Sequence, residues 1–280
     1  MRLIPLSLFF CKKMVVFPNA KLNIGLNIVE KRPDNYHNLE SIFVPIPFKD
    51  ILEIVESKSG ETRLHLSGIQ IDGDPNNNLV MKAFRQLQGD FNIPNVDIYL
   101  EKIIPFGAGL GGGSADAAFT LKALNTLFDL KLSNEKLCQY AAKLGADCSF
   151  FIENKATYVT GIGEILTPIE LDLSPYYLVL VKPNDYISTK EAYAHITPRK
   201  TKISVNETIH YPIEQWKEYI VNDFEASVFP NHPNIAKVKE NLYENGALYA
   251  SMTGSGSSVF GLFDKQPTIE FENTVFKGNF

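Results

Sequence analysis

The sequence predicts a globular protein that mixes strands and helices and is large enough for two domains. Its 280 residues compare with a usual domain length of about 150, which allows two domains or one large one. Hydrophobic residues make up 45% and charged residues 21% of the chain, proportions typical of a packed, water-soluble protein. Segments with strand-like alternation and segments with helical periodicity follow one another, and no repeat or low-complexity block interrupts them.

Alternating polar and apolar residues predict several strands of a mixed sheet. In residues 15–29, Lys21 and Asn23 share one face while Leu22 and Ile24 share the other, so one face packs and the other is polar. Shorter strands are predicted over residues 51–55, 63–66 and 96–100. A continuous apolar run over residues 176–181 predicts a buried strand.

Helical periodicity predicts three helices. The first covers residues 114–128, where apolar side chains recur every three or four positions. The second starts after Ser133, an N-cap residue, and is expected to end at Gly145 as its C′ residue. The third covers residues 233–245 and is followed by Gly246. The predicted organisation is an extension over residues 1–13, an N-terminal domain over residues 14–165 and a C-terminal domain over residues 166–280.

Charge and cysteine usage exclude several classes of protein. The formal net charge of −5 and the pI of about 5.6 lack the basic excess that nucleic-acid binding needs. Three scattered cysteines form neither a disulfide framework nor a zinc motif, which favours a reducing, cytoplasmic location. We expect no membrane contact, and a monomer or a homodimer.

The N-terminal residues superficially resemble a secretory signal. Pro5 interrupts their apolar run, two lysines end it, and a membrane span needs about 20 apolar residues. We therefore expect translation to begin at Met14, which makes residues 1–13 a dispensable extension.

The strongest chemical signal is a glycine loop that opens onto the first predicted helix. Its sequence is Pro105-Phe-Gly-Ala-Gly-Leu-Gly-Gly-Gly-Ser-Ala-Asp-Ala-Ala118, with five glycines in seven residues. Glycines let the backbone approach an anion, and the first N–H groups of a helix carry no partner, so the pattern predicts a phosphate site. It also matches the G-x-G-x-x-G of dehydrogenases, but Asp129 falls at the end of the helix rather than after the next strand. A P-loop is excluded because no lysine follows the glycines.

Two further segments accompany this loop. Residues 252–261 form a second glycine-serine loop, and Pro18-Asn-Ala-Lys-Leu-Asn23 places Lys21 and Asn23 on one strand face. Together, in this order, the three segments resemble the superfamily of galactokinase, homoserine kinase, mevalonate kinase and phosphomevalonate kinase. The match narrows to the 4-diphosphocytidyl-2-C-methyl-D-erythritol kinases through residues 18–26, 32–39, 111–118, 144–151 and 252–260.

The resemblance covers about residues 15–265 and implies an α+β fold in two domains. The N-terminal domain is expected to be similar to the second domain of ribosomal protein S5 and to contain a left-handed β-α-β crossover. The C-terminal domain is expected to be a ferredoxin-like α/β sandwich.

The resemblance also implies ATP-dependent phosphorylation of the 2-hydroxyl of 4-diphosphocytidyl-2-C-methyl-D-erythritol, in the non-mevalonate route to isoprenoid precursors. ATP would lie on residues of the glycine loop, and Ser114 would help to hold Mg²⁺. Asn78 and Leu79 would line the base pocket. The implied loop residues are Pro105, Gly107, Gly109, Gly111, Gly112, Gly113, Ser114 and Ala115.

Catalysis is assigned by the same resemblance to Asp147 as general base and to Lys21, which would orient Asp147 and neutralise charge on the transferred group. Without the resemblance, Asp147 is equally well interpreted as a helix cap. Tyr36 would stack on cytosine, His37 would hydrogen-bond to it, and Tyr193 would close the other face. Asn23 and Thr189 would contact the sugar or diphosphate part.

Two other functions, a sister kinase and an RNA-binding module, would each need sequence features that can be checked. A sister kinase for mevalonate or homoserine has no use for an aromatic base clamp, so Tyr36, His37 and Tyr193 argue against it. An S5-like RNA-binding module would need a basic stripe, which the acidic chain lacks.

Overall fold

The computed structural model describes residues 12–70 and 74–280. Within these ranges, twelve strands form three four-stranded sheets. The strands are β1 (Lys13–Val16), β2 (Asn19–Lys31), β3 (His37–Lys49), β4 (Ile51–Glu56), β5 (Arg63–Gly68), β6 (Val96–Lys102), β7 (Thr157–Thr160), β8 (Ile165–Pro168), β9 (Tyr177–Val181), β10 (Tyr249–Met252), β11 (Val259–Phe263) and β12 (Thr274–Asn279).

Nine α-helices connect these strands in the described residues. They are α1 (Leu79–Phe91), α2 (Gly112–Leu127), α3 (Asn134–Ala142), α4 (Phe150–Glu153), α5 (Thr189–Tyr193), α6 (Val205–Thr208), α7 (Ile213–Tyr219), α8 (Asp223–Val228) and α9 (Pro233–Glu244). The N-cap of α3 is Ser133, as predicted, and its side chain accepts a hydrogen bond from Lys136 N. The predicted end of this helix was wrong: Gly145 has an extended backbone, with φ of 173°, and leads into a 3₁₀ turn over Ala146–Cys148.

The first sheet has the order β1-β4-β6-β5 and carries the main N-terminal core. The β5–β6 pair is parallel and is joined through α1, while the other pairs are antiparallel, so the predicted mixed sheet is confirmed. Ile98 and Leu100 on β6 point inward, as the alternation predicts, and pack with Phe84 of α1 and Leu121 of α2.

The second sheet has the order β2-β3-β7-β8 and lies between the two halves of the chain. The strand predicted over residues 15–29 is broken at Phe17-Pro18, because proline has no N–H for a continuing ladder. Leu22 and Ile24 on β2 pack with Leu180 and Trp216 from the C-terminal half.

The predicted boundary between residues 165 and 166 falls inside β8, which pairs with β7 up to Pro168. The domain limits stay a prediction.

The C-terminal half contains an antiparallel sheet of order β10-β11-β9-β12. Numbered from β9, this order is that of the ferredoxin-like fold, so the predicted α+β class is confirmed. Helices α5 to α9 lie between β9 and β10, whereas residues 264–273, between β11 and β12, contain no helix. The last strand, β12, pairs with β9 as an edge strand.

The N-terminal extension and the absence of membrane contact are two further predictions from the sequence. Residues 1–11 of the predicted extension lie outside the described residues, while Lys13 already belongs to β1 and pairs with Val55. In the part of the chain that is described, no helix is long and apolar enough to cross a bilayer.

Candidate active site

The glycine loop connects β6 to α2 and ends in the helix itself. Gly111 is the N-cap of α2, has φ of +69° and supplies no side-chain cap. A Cβ at Gly111 would lie 3.0 Å from the Phe151 ring and 3.2 Å from Lys21 Cγ, so only glycine fits. The start of α2 therefore presents its first N–H groups without a side chain in front of them, which is the arrangement of an anion site.

The second glycine-serine loop, over residues 252–261, packs against the first. Gly109 has φ of +76°, and a Cβ there would stand 2.1 Å from the carbonyl oxygen of Thr253. The Thr253 hydroxyl donates to Gly109 O at 3.2 Å and accepts from Asn23 N at 2.9 Å. Thr253 thus joins the glycine loop, the second loop and β2 at one point.

Lys21 and Asp147 form a partly buried ion pair beside the two loops. Lys21 Nζ lies 3.4 Å from Asp147 Oδ2, and the Lys21 side chain is 4% exposed while that of Asp147 is 31% exposed. Lys21 Nζ also donates to Asn23 Oδ1 and lies 4.3 Å from the centre of the Phe43 ring. The ammonium is therefore fixed on three sides, and the carboxylate keeps access to a ligand.

The position of Asp147 bears on its alternative interpretation as a helix cap. Asp147 is the middle residue of the 3₁₀ turn, whose N-cap is Gly145, and the N-cap of the following α4 is Ser149. Asp147 therefore occupies neither cap position, and among the described residues it pairs with Lys21.

Three neighbouring cavities share lining residues and form one continuous surface. The first, named the base cavity after its expected occupant, has a volume of about 380 Å³ and is lined by residues that include Asn78 and Leu79. The loop cavity, of about 350 Å³, follows residues 105–114 and shares Leu79, Phe106 and Gly113 with the base cavity. The acceptor cavity, of about 280 Å³, shares four residues with the loop cavity: Gly109, Gly111, Thr189 and Ser255.

The acceptor cavity gathers five of the residues that the sequence assigned to catalysis or to the acceptor. These are Lys21, Asn23, Asp147, Thr189 and Tyr193. They come from β2, the 3₁₀ turn and α5, which are distant in sequence. No local pattern predicts such a meeting.

The three aromatic residues of the predicted cytosine clamp differ in exposure and in their contacts. The His37 ring stacks on Tyr193 with ring centres 5.1 Å apart and an angle of 26°, and Tyr193 also meets Phe224 edge-on at 4.7 Å. Burial lowers the pKa of His37 and raises that of Tyr193. Tyr36 lies in the turn before β3, is 60% exposed and does not line the acceptor cavity. His37 therefore covers one face of the Tyr193 ring.

Ala115 and Ser114, both assigned to ATP or Mg²⁺, differ in their access to the loop cavity. Ala115 is fully buried in the core and its N–H donates to Gly111 O at 2.9 Å, so the structure does not bring it to the loop cavity. Ser114 lines that cavity. Burial raises the pKa of the Cys148 thiol to about 11.

The donor set fits a magnesium ion that is held mainly by a nucleotide. No group of three or more His, Cys, Asp or Glu in the described ranges could hold a metal by itself. Mg²⁺ prefers oxygen ligands and is commonly shared between phosphates and few protein groups, and the Ser114 hydroxyl is such an oxygen.

Sequence reasoning missed three contributors to the site. Thr253 and Ser255 lie in the second glycine-serine loop, which the sequence had marked without assigning roles to its residues. Phe43 faces Lys21 from β3 and carries no local signal, because an aromatic residue in a strand is ordinarily a core residue.

Two family models match the chain. The one described as GHMP kinases N terminal domain covers residues 78–154, and the one described as GHMP kinases C terminal covers residues 212–275. The first contains α1, the glycine loop, α2 and Asp147, and the second contains the second glycine-serine loop.

Individual proteins resemble the whole chain. The 4-diphosphocytidyl-2-C-methyl-D-erythritol kinase of Bacteroides fragilis is 55% identical over 258 residues, which are 91% of this chain and 94% of that protein. A crystal structure of 4-(cytidine 5'-diphospho)-2C-methyl-D-erythritol kinase matches with a TM-score of 0.76 at 31% identity, over 89% of this chain and 90% of that one. A mevalonate kinase structure matches with a TM-score of 0.68 at 15% identity, over 89% and 91%, which shows a shared fold alone.

Proposed function

We infer that this chain, which belongs to the 4-diphosphocytidyl-2-C-methyl-D-erythritol kinase family of the GHMP kinases, transfers the γ-phosphoryl group of ATP to the 2-hydroxyl of 4-diphosphocytidyl-2-C-methyl-D-erythritol. The observation that carries this function is the continuity of the three cavities. A base cavity, a glycine-lined anion surface and a cavity with an ion pair at its far end follow one another in the order that a nucleotide and its acceptor require.

ATP binding is supported by the helix start and by the open glycines. The phosphates lie against the N–H groups at the start of α2, where the helix dipole favours negative charge. The base enters the cavity lined by Asn78 and Leu79. Mg²⁺ would be held by the phosphates with help from the Ser114 hydroxyl, and it would offset the charge of the phosphates.

The acceptor binds in the cavity that contains Lys21, Asn23 and Thr189. The Asp147 carboxylate accepts the proton of the attacking hydroxyl. Lys21, at 3.4 Å, holds this carboxylate in place and brings positive charge toward the transferred phosphoryl group. Because phosphoryl transfer proceeds through a loose transition state, positioning and charge neutralisation are the main demands on the protein.

The cytosine of the acceptor is assigned to Tyr36, His37 and Tyr193. His37 already stacks on Tyr193, so an incoming base has to take its place on that ring. Since Tyr36 is exposed in a turn, it is free to approach the other face of the base.

All the residues named belong to one chain, so a monomer and a homodimer are equally compatible with this site. We place the reaction in the cytoplasm, a proposal that the unpaired thiols of Cys138 and Cys148 support. The product would serve the non-mevalonate route to isoprenoid precursors.

The test of function offers ATP with three acceptors: the cytidine-diphosphate substrate, mevalonate and homoserine. We expect mass spectrometry to detect a phosphorylated product of the first alone. Comparable phosphorylation of mevalonate or homoserine would contradict the proposal.

The test of mechanism removes each member of the ion pair. Asp147→Asn and Lys21→Met should each lower kcat by about 10²-fold to 10⁴-fold, and the double variant should lose little more, because the pair acts as one unit. Lys122→Met is the matched control, since Lys122 also lies over an aromatic ring, that of Phe119 at 5.0 Å, but lines none of the three cavities. Near-normal turnover by Asp147→Asn, or losses that multiply in the double variant, would contradict the assignment.

A further inference from the structure

A histidine in the C-terminal half lies between two carboxylates. His232 precedes α9 as its N-cap residue. Its Nε2 lies 2.7 Å from Glu191 Oε1, and its Nδ1 lies 3.3 Å from Asp185 Oδ1. The side chains of His232 and Asp185 are each 18% exposed, and that of Glu191 is 40% exposed. None of these three residues lines the base, loop or acceptor cavity, and the proposed mechanism uses none of them.

The protonation state of the His232 ring decides how many of these hydrogen bonds form. Ionised carboxylates only accept hydrogen bonds, so both ring nitrogens have to donate. A neutral imidazole carries one N–H group and would set the lone pair of its other nitrogen against a carboxylate oxygen. Only the imidazolium ion satisfies both contacts. The hydrogen bond to Glu191 is the main cause that raises the pKa of His232, and burial opposes it.

The two carboxylates belong to segments that border the site. Glu191 lies on α5 between Thr189 and Tyr193, which both line the acceptor cavity. Asp185 lies in the segment between β9 and α5, and the next two residues of this segment line the loop cavity. The ring therefore holds the segment and the helix together and ties both to the start of α9.

Two other hydrogen bonds support the same arrangement. Ser227 Oγ donates to Ala192 O at 2.6 Å, and Ser257 Oγ donates to Asp185 O at 2.7 Å. Because α5 has only five residues, its position depends on such tertiary contacts. With these bonds still present, loss of the proton from His232 should shift α5 rather than unfold it.

The remaining neighbours of the ring do not replace the two carboxylates. Lys182 Nζ donates to Asp185 O at 3.2 Å, and Lys237 on α9 lines another cavity together with Asp185. From α8 the contact is uncharged, since Val228 O accepts from His232 N at 3.0 Å. The start of a helix disfavours a cation, so the two carboxylates are what makes a positive ring favourable at this position.

We propose that protonated His232 is a positioning residue for the acceptor: it fixes α5, which carries Thr189 and Tyr193, and the affinity for the acceptor falls when the ring loses its proton. This inference rests on the proposed function in placing the acceptor against α5. Both hydrogen bonds are complete below the usual histidine pKa of about 6.5, and they are lost as the pH rises through the higher pKa of the folded protein. The affinity should therefore fall between about pH 7 and pH 9.

The experiment measures the Kd of the cytidine-diphosphate acceptor by calorimetry over this pH range, on the full chain and without ATP. The Kd should rise about 5-fold to 10-fold, at the low end of couplings between two sites. NMR titration of the His232 ring should give its midpoint at the same pH. Because such coupling is reciprocal, saturating acceptor should raise the pKa of His232 by the logarithm of the same factor.

Three variants separate His232 from other titrating groups. His232→Gln carries no titrating proton and should abolish the pH dependence in this range. Glu191→Gln removes the charge of the group that contributes most to the raised pKa of His232, so the midpoint should move to lower pH. His195→Gln is the matched control, because His195 is exposed two residues beyond α5 and should leave the Kd and its pH dependence unchanged. His37 titrates below this range, since burial lowers its pKa.

A Kd that stays constant over this pH range in the unmodified enzyme would overturn the proposal, as would a pH dependence that survives His232→Gln. A midpoint that Glu191→Gln leaves unmoved would also overturn it, and this result decides the matter if His232→Gln does not fold. These outcomes leave the kinase function intact, because phosphorylation of the acceptor is read separately. If the acceptor neither binds nor is phosphorylated at any pH, the proposed function fails and this proposal fails with it.

Discussion

The contact between the two glycine loops can be tested by adding one methyl group. Gly109→Ala places a Cβ 2.1 Å from the Thr253 carbonyl oxygen, at a backbone φ of +76°. Gly60→Ala is its matched control, since Gly60 has nearly the same φ, +77°, and nothing within 4 Å of its Cβ. Both variants carry the left-handed backbone penalty of about 1–2 kcal/mol for a non-glycine residue. Only Gly109→Ala carries the clash.

The size of the effect follows from the distance. An ordinary contact needs 3.4 Å or more, so the loops must separate by about 1 Å. Thr253 also bonds to Asn23 N, which means that the separation moves the acceptor side of the site as well. A misplacement of about 1 Å can lower activity roughly 100-fold.

The assay compares kcat/KM and thermal unfolding of the two variants. Gly60→Ala should lose a few degrees of melting temperature, because about 1–2 kcal/mol is removed from a chain of this size, and Gly109→Ala should lose more because it also carries the clash. Gly109→Ala should in addition lose about 100-fold in kcat/KM relative to Gly60→Ala. A difference below threefold would refute the argument that this contact sets the geometry of the site.

Three further predictions concern the acceptor, the pH dependence of stability and the N-terminus. Tyr36→Ala should lower kcat/KM for the cytidine-diphosphate acceptor by about 10-fold to 100-fold with little change in KM for ATP. Tyr193→Phe should leave both kinetic constants nearly unchanged. An effect of Tyr36→Ala on ATP alone would contradict this prediction. Burial acts to raise the pKa of Glu40, but its hydrogen bonds from Thr201, Tyr158, Ser204 and Asn27 outweigh it and hold that pKa below its usual value. The ionised carboxylate therefore stabilises the folded protein fully above the pKa of Glu40 in the unfolded chain, and this stabilisation is lost as the pH falls through the pKa of Glu40 in the folded protein. Glu40→Gln should lower the free energy of unfolding by about 3 kcal/mol at pH 7 and by less below about pH 4. An equal loss at both pH values, measured by urea unfolding, would contradict this prediction. A chain that begins at Met14 should keep its activity and thermal stability. The control is a chain that begins at Lys12, because it retains the hydrogen bond from Glu56 N to Lys12 O. If the shorter chain melts several degrees lower than the control, the two lysines stabilise β1 and the prediction is wrong.

Local patterns in the sequence were sufficient for the elements that carry chemistry. Helix α2 follows directly from five clustered glycines and an apolar period, and the cap of α3 follows from Ser133. These features depend on neighbours within a few residues, where backbone preferences and caps act. The family resemblance added Lys21, Asp147 and Thr189, which the structure brings to one cavity.

Other features were decided only by tertiary contacts. On either side of Pro18, β1 and β2 join different sheets, and the end of α3 at Ala142 leaves Gly145 to lead into the turn that carries Asp147. His37 lies on Tyr193 although 156 positions separate them in the printed sequence, a pairing that no periodicity encodes.

The sequence by itself determined where the glycine loop begins, which helix follows it and which family the motifs resemble. Only the tertiary structure decided that Thr253 joins Gly109 to Asn23 and that Lys102 lies buried between Asp50 and Asp116. The physical reason is that caps, turns and periodicity arise between residues close in the chain, whereas burial and hydrogen-bond satisfaction depend on groups that meet only when the chain has folded.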